Sequence, residues 1–288
     1  MDKQKIRILD TFYTKPEVAN LCIKSVKHYI HFNKNDLIIE PSIGIGSFCN
    51  VTDLTHHYKF YDIDSIDCYI DKPFSYIQKD YLDINFDKFK KYNKIHVIGN
   101  PPFGRQSSLV KKFIKFSCQF CDTLSFILPK SFKKESMQKV FPLNFHLIHQ
   151  FDLPKNSFML SDSMENYNVP CVFQTWKKKH YEREQPVILT PKNFKFIKKC
   201  EIKENKKDKI ISIRRVGFYA GNVDDNIKII KNKSEQSHYF IQFDKEIDDI
   251  IDKIRNLHFE NKDNVVGSRS ISKQELIEKI NKLIKFCK

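Results

Sequence analysis

No stretch of this 288-residue chain is apolar for long enough to span a membrane. No apolar core follows the opening Met1-Asp2-Lys3-Gln4, so no secretory leader is expected. The eight cysteines, Cys22, Cys49, Cys68, Cys118, Cys121, Cys171, Cys200 and Cys287, are scattered and form no dense disulfide framework. Reduced thiols in a cytoplasm-like compartment are the expectation. The single close pair, Cys118-x-x-Cys121, lacks a second pair at zinc-ribbon or zinc-finger spacing, and His56-His57 lacks partners at ligand spacing. No metal site is therefore expected. The two cysteines read as core residues of a helix predicted from Ser108 to Cys121. Negative charge is also in short supply, with 35 Asp and Glu against 50 Lys and Arg, a formal charge of +15. Such a surplus suits polyanions, nucleic acid before acidic membrane. Lysine, isoleucine and asparagine are abundant throughout, as AT-rich coding produces, and this accounts for part of the surplus. No internal repeat is present.

What the chain does have is core-forming material: 41% hydrophobic residues and 25 phenylalanines. Pro16 opens a helix after Thr14-Lys15, with Val18, Leu21, Cys22, Val26, Tyr29 and Ile30 at helical spacing. Short apolar runs at 37–39, 58–61, 95–98 and 123–128 read as buried strands, ending at Glu40, Asp62, Asn100 and Pro129. Two more are expected at 145–151 and 169–176. Alternation of such strands with helices indicates an α/β fold with a doubly wound, mostly parallel sheet and helices on both faces. The composition changes after Trp176, the only tryptophan. A basic run extends from Lys177 to Arg215, interleaved with apolar residues, so it reads as folded. A helix face over 247–257 and a capping box Ser272-x-x-Glu275 before a final amphipathic helix follow. The expected division is a catalytic domain over 1–180 and a smaller basic region over 181–288, suited to recognising a nucleic-acid target.

Four segments at strand tips carry the functional signal, since open α/β sheets bind ligands at the carboxyl ends of their strands. The first is Glu40-Pro41-Ser42-Ile43-Gly44-Ile45-Gly46, whose glycines let the backbone turn and approach a ligand. Cys49 stands where a dinucleotide fingerprint wants a third glycine. The second is Asp62-Ile63-Asp64, where an acid can accept both hydroxyls of a ribose. The third is Lys79-Asp80-Tyr81, in which Asp80 can accept from an adenine amine or simply cap a helix. The fourth is Asn100-Pro101-Pro102-Phe103, where two prolines stiffen the turn and hold an amide at the strand tip.

With these segments in this order, the chain resembles the S-adenosyl-L-methionine-dependent amino methyltransferases, especially the adenine-N6 group with its Asn/Asp-Pro-Pro-aromatic motif. Asp10-Thr11-Phe12-Tyr13-Thr14-Lys15-Pro16 is similar to the family's N-terminal cofactor segment, and Phe126 to Phe132 to the strand after the catalytic motif. The likeness covers about residues 10–180. It implies a Rossmann-like methyltransferase fold and S-adenosyl-L-methionine as cofactor. Thr11, Phe12 and Tyr13 would line its methionine end. Glu40, Gly44 and Gly46 would form the floor, with Glu40 near the ammonium. Asp62 would hold the ribose, Ile63 would pack on the adenine and Asp80 would meet the adenine amine. Asn100 and the Pro101 carbonyl would grip the target amine, with Pro102 stiffening the turn and Phe103 stacking on the target base. Trp176 would supply a second aromatic wall.

The residue types suit the chemistry. An aromatic amine delocalises its lone pair into the ring, and two acceptors on its hydrogens favour a pyramidal nitrogen. A sulfonium methyl is already activated, so catalysis is mainly alignment. A base in a duplex would have to be flipped out, at a cost of roughly a few kcal/mol. Stacking on an aromatic residue would offset about 1–3 kcal/mol of it. The expected activity is adenine-N6 methylation of nucleic acid, DNA favoured, with Lys206, Lys207, Arg214 and Arg215 contacting the polymer. RNA is the alternative polymer. Guanine-N2 and release-factor glutamine methyltransferases carry similar motifs, and the basic run argues against a protein substrate. A methyltransferase-like fold that only binds nucleic acid is the remaining alternative.

Overall fold

The computed structural model describes residues 12–51, 57–64, 75–160, 163–185, 187–202, 209–244, 249–263 and 269–286. Thr11, Lys206 and Lys207 lie outside them. The chain forms two compact units, Met1–Gln185 and Pro186–Lys288.

In chain order the first unit contains β1 (Phe12–Thr14), α1 (Pro16–Tyr29), β2 (Leu37–Glu40), β3 (His57–Asp62), β4 (Ile77–Gln78) and β5 (Ile95–Gly99). After these come α2 (Ser108–Ser117), β6 (Thr123–Pro129), α3 (Glu135–Gln138), β7 (Phe145–Asp152), β8 (Phe158–Leu160), β9 (Asn166–Tyr167) and β10 (Cys171–Lys178). Seven strands form one sheet in the order β4-β3-β2-β5-β6-β10-β7. The pairs from β4 through β6 are parallel, and β10 runs antiparallel to β6 and β7. Winding outward in both directions from β2 and β5 makes this a Rossmann-like α/β sheet, as the sequence predicts. Every residue of β2, β5 and β6 is buried, so these strands are near-continuous apolar runs rather than alternating ones.

Pro16 occupies the first turn of α1, where its missing N–H costs nothing. The helix buries Val18, Ala19, Cys22, Ile23 and Val26. Leu21 and Tyr29, placed on the buried face by spacing, are exposed instead. Tyr29 stacks on His149 of β7, with ring centroids 4.4 Å apart. Cys118 and Cys121 are buried in the turn beyond α2, which ends earlier than the sequence predicts. His57 opens β3, its ring against Tyr92.

The amino ends of the central strands are tied by a buried polar group. His96 meets Thr123 Oγ1 at 2.8 Å through Nδ1 and Asp36 Oδ2 at 3.2 Å through Nε2. Burial pushes the His96 pKa down, with Asp36 acting in the opposite direction. A histidine whose folded pKa lies below the unfolded value of about 6.5 is more easily protonated in the unfolded chain. Its contribution is therefore present above that value and is lost as pH falls through it. Urea midpoints are expected to drop more between pH 7.5 and 5.5 for the native protein than for His96→Asn; equal drops would contradict this.

The second unit contains β11 (Phe194–Ile197), β12 (Ile210–Arg214), β13 (Val223–Asp224), α4 (Ile227–Lys231), β14 (His238–Phe243), α5 (Ile250–Arg255) and α6 (Lys273–Phe286). Its antiparallel sheet has the order β11-β14-β12-β13. Ile211, Ile213, Ile241 and Phe243 of the sheet pack with Leu276, Ile277 and Ile280 of α6. The basic run thus contributes sheet strands, with isoleucines inward. Ser272 Oγ accepts from the Glu275 backbone N–H at 3.1 Å, making the predicted cap. Among the described residues no helix is long and apolar enough to cross a membrane.

Candidate active site

The chain reverses direction across the sheet between β2 and β5. In sheets of this kind the crevice at the carboxyl tips of the two strands at such a switch point is where ligands bind. Glu40 ends β2 and Gly99 ends β5, and the register Ile39↔Val97 sets their loops side by side. The approach is close enough to require glycine at 99. A Cβ there would lie 2.7 Å from Glu40 Oε1 and 3.4 Å from Pro41 Cδ. In the loop after Glu40, Gly44 has φ +51° and lies under the Tyr13 ring, 3.2 Å from where a Cβ would stand.

Among the described residues, three buried polar atoms around this crevice have no hydrogen-bond partner: Glu40 Oε2, Asn100 Oδ1 and Thr14 Oγ1. Asn100 donates through Nδ2 to the Phe12 carbonyl at 3.1 Å, which turns its Oδ1 away from that strand. Burial drives the Glu40 pKa well above the carboxylate range, and Asp62 pushes the same way. A buried carboxylate with a bare oxygen beside a second acid fits a cationic ligand group, and a bare amide oxygen fits an N–H donor.

A small second sheet fixes β1 beside this crevice. Phe12–Thr14 pairs antiparallel with Phe158–Leu160 of β8, and β8 pairs with β9. Lys15 N–H donates to Ser157 O at 3.1 Å, and Ser47 Oγ donates to Thr14 O at 2.6 Å. These contacts join the N-terminal segment, the glycine loop and the segment between β7 and β10.

Asp62 ends β3 and is buried. Its Oδ2 accepts from Gly44 N–H at 3.0 Å and its Oδ1 from Asp64 N–H at 3.1 Å. Burial raises its pKa, against the pull of those N–H groups. Each oxygen keeps a further lone pair for a hydroxyl donor. Ile63 beside it is 60% exposed, an apolar face next to the acid. Asp80 caps a short 3₁₀ turn, its Oδ1 accepting from Leu82 N–H at 2.9 Å. Tyr81 anchors that turn in the core, its hydroxyl 2.9 Å from Ser117 Oγ.

Two expected aromatic walls are corrected by the structure. Phe103 is only 6% exposed and packs in the main core, with its carbonyl accepting from Leu109 and Val110 N–H. It offers no face to a base here. Trp176 is 1% exposed, with its ring stacked on Phe141 at 3.9 Å and its N–H donated to Gln174 Oε1 at 3.1 Å. It also lies at the wrong end of the sheet. Because β10 is antiparallel, Trp176 pairs with Leu124 at the amino end of β6, while Cys171 pairs with Pro129 at the carboxyl end. Trp176→Ala is expected to cost about 3–5 kcal/mol of stability in urea unfolding, as for other buried large-to-small changes. A cost below about 1 kcal/mol would contradict the core role.

Tyr167 is the aromatic residue the sequence reading missed. It stacks on Phe12 with centroids 4.7 Å apart and planes 13° from parallel, and it is 40% exposed. The Phe12 backbone holds the Asn100 amide, so this stack borders the amide. Arg214 and Arg215 belong to the second unit, at the end of β12. Among the described residues no group of three or more His, Cys, Asp or Glu could hold a metal ion.

No protein-family model and no curated protein matches the sequence. Among solved structures, the chain is similar to a Listeria monocytogenes protein provisionally described as a class I S-adenosylmethionine-dependent methyltransferase. That match has 15% identity and a TM-score of 0.44, and covers 60% of this chain and 63% of the other. A Pyrococcus horikoshii protein provisionally described as an RNA methyltransferase has 15% identity and a TM-score of 0.39, covering 59% and 87%. Magnesium protoporphyrin IX methyltransferase from Synechocystis, with bound SAM, has 10% identity and a TM-score of 0.40, covering 57% and 79%.

Proposed function

We propose that the first unit is an S-adenosyl-L-methionine-dependent methyltransferase acting on the N6 amine of adenine in nucleic acid, DNA first. The observation that carries this reading is the Asn100 amide. Its nitrogen is committed to the Phe12 carbonyl, and its oxygen is buried and unpartnered, one residue beyond the Gly99 that packs against Glu40. An amide held that way is an acceptor waiting for an N–H donor, and leaving it unpaired costs about 1–3 kcal/mol.

Glu40 would receive the methionine ammonium, over a floor of Gly44 and Gly46, with Phe12 and Tyr13 beside it. Asp62 would accept from the ribose hydroxyls, Ile63 would cover the adenine and Asp80 would accept from its amine. Bound there, S-adenosyl-L-methionine supplies an electrophilic methyl on a sulfonium. Asn100 Oδ1 and the Pro101 carbonyl would accept hydrogen bonds from the two N–H groups of the target amine and localise the nitrogen lone pair, and one of those protons would leave to solvent once the methyl has transferred. Pro101 and Pro102 keep both acceptors fixed, so little reorganisation accompanies the reaction. The exposed face of Tyr167 takes the stacking role first given to Phe103 and Trp176.

Incubation of the full chain with tritiated S-adenosyl-L-methionine and separate DNA and RNA pools tests the reading. Label in DNA is expected. Label confined to RNA would change the polymer, and label in neither would overturn the activity.

A further inference from the structure

We propose that the turn between β12 and β13 in the second unit is a nucleic-acid site, stacking an unpaired base on Phe218 or Tyr219 and holding the adjacent phosphate on Arg214. The proposal shares with the function above the premise of a nucleic-acid ligand, and it locates a base-stacking surface in the unit that the sequence expects to recognise nucleic acid.

Phe218 and Tyr219 are 74% and 59% exposed, the two most exposed aromatic side chains among the described residues. Adjacent exposed rings of this size carry an apolar cost unless something covers them. They do not hang on a loose loop. Arg214 N–H donates to Asn222 O at 2.9 Å and Gly221 N–H returns to Arg214 O at 2.8 Å. Gly217 N–H donates to Arg269 O at 2.9 Å, Asn222 N–H to Tyr219 O at 3.0 Å, and Val216 bridges Ser270. Ala220, the next residue, is buried and anchors the turn in the core. The two rings are therefore presented in a fixed orientation, which lowers the entropy lost on binding.

The surroundings are basic. Tyr219 lines a cleft of about 500 Å³ with Arg214, Asn222, Lys233, His238 and Arg255. Asp224 also lines it, but is paired with Lys233 at 3.0 Å, and Arg255 is paired with Asp225 and Asp252. Arg214 is half-buried and spends only its Nε–H, on Val216 O at 3.0 Å. Among the described residues no carboxylate pairs with it, so its terminal nitrogens remain for an anion. Outside the cleft, the Arg269 guanidinium, paired with Asp263 at 2.6 Å, lies 5.2 Å from the Phe218 ring centre, and Arg215 lies 5.5 Å from that of Tyr239. Exposed rings alone would serve a protein partner equally well. A ring that shares a cleft with an arginine free of acidic partners among the described residues, as Tyr219 does with Arg214, fits a strand that offers a base face and a phosphate together.

Fluorescence anisotropy of the full chain with a labelled single-stranded oligonucleotide tests the site without using methyl transfer. Phe218→Ala combined with Tyr219→Ala changes exposed groups only and should weaken binding about tenfold or more. Tyr219→Phe keeps the ring and should bind as the native protein does. Arg214→Gln should reduce the slope of log affinity against log salt by about one, and Arg214→Lys should preserve it. Unchanged affinity in the folded double variant would overturn the site and leave the rings to a protein partner. Absence of binding by the native protein would overturn it as well. Weaker binding in the double variant without methyl transfer by the native protein would keep this site and remove the proposed activity. Methyl transfer with unaltered binding in the double variant would do the reverse.

Discussion

Asn100→Ala is expected to lower the rate of methyl transfer by at least about a hundredfold, the scale seen when one preorganised hydrogen-bonding group is removed from a reaction centre. The effect should fall on kcat and leave S-adenosyl-L-methionine affinity unchanged. Alanine removes the Oδ1 acceptor proposed for the amine and also the Nδ2 donor that holds the Phe12 carbonyl at 3.1 Å. Asn100→Asp separates the two effects. A carboxylate still accepts from an amine but cannot donate to Phe12, so an intermediate rate is expected. Calorimetry with the cofactor and initial rates on an oligonucleotide check both variants. A rate within about threefold of the native protein for Asn100→Ala would remove Asn100 from the reaction, since an interaction made in the transition state must appear in kcat.

Asp62→Ala is expected to weaken S-adenosyl-L-methionine binding by about ten- to a hundredfold, because hydrogen bonds to a charged group are worth about 1.5–3 kcal/mol. Two losses contribute. The ribose hydroxyls lose their acceptor, and Gly44 N–H loses the Oδ2 that fixes the glycine loop at 3.0 Å. Asp62→Asn keeps one oxygen for Gly44 and should bind with intermediate affinity. The control is thermal melting without cofactor, which should move far less than the binding constant. Unchanged affinity for Asp62→Ala would take Asp62 out of the site.

The central strands were legible because a parallel strand buried on both faces writes itself as a short apolar run. Leu37–Glu40, Ile95–Gly99 and Thr123–Pro129 match the expected runs within a residue or two. Such runs carry no direction, and that is why Trp176 was misplaced. The same residues Cys171–Lys178 fit the sheet either way up, and only the pairing Trp176↔Leu124 puts the indole at the end away from Asn100. Phe103 was misjudged for a related reason. The motif names an aromatic residue after the prolines, but whether it faces core or crevice depends on how α2 packs beneath it. The β1-β8-β9 sheet was invisible because strands of two or three residues are too short for a pattern. Tyr167 owes its place to that pairing alone. In the second unit the lysines dominated the reading, and the isoleucines of β12 and β14 between and beyond them build the antiparallel sheet.

The most direct measurement is mass spectrometry of nucleosides from nucleic acid treated with the full chain and isotopically labelled S-adenosyl-L-methionine. The predicted result is labelled N6-methyladenine nucleoside from the native protein and almost none from Asn100→Ala. Label on another base, or equal label with and without Asn100, would contradict the account.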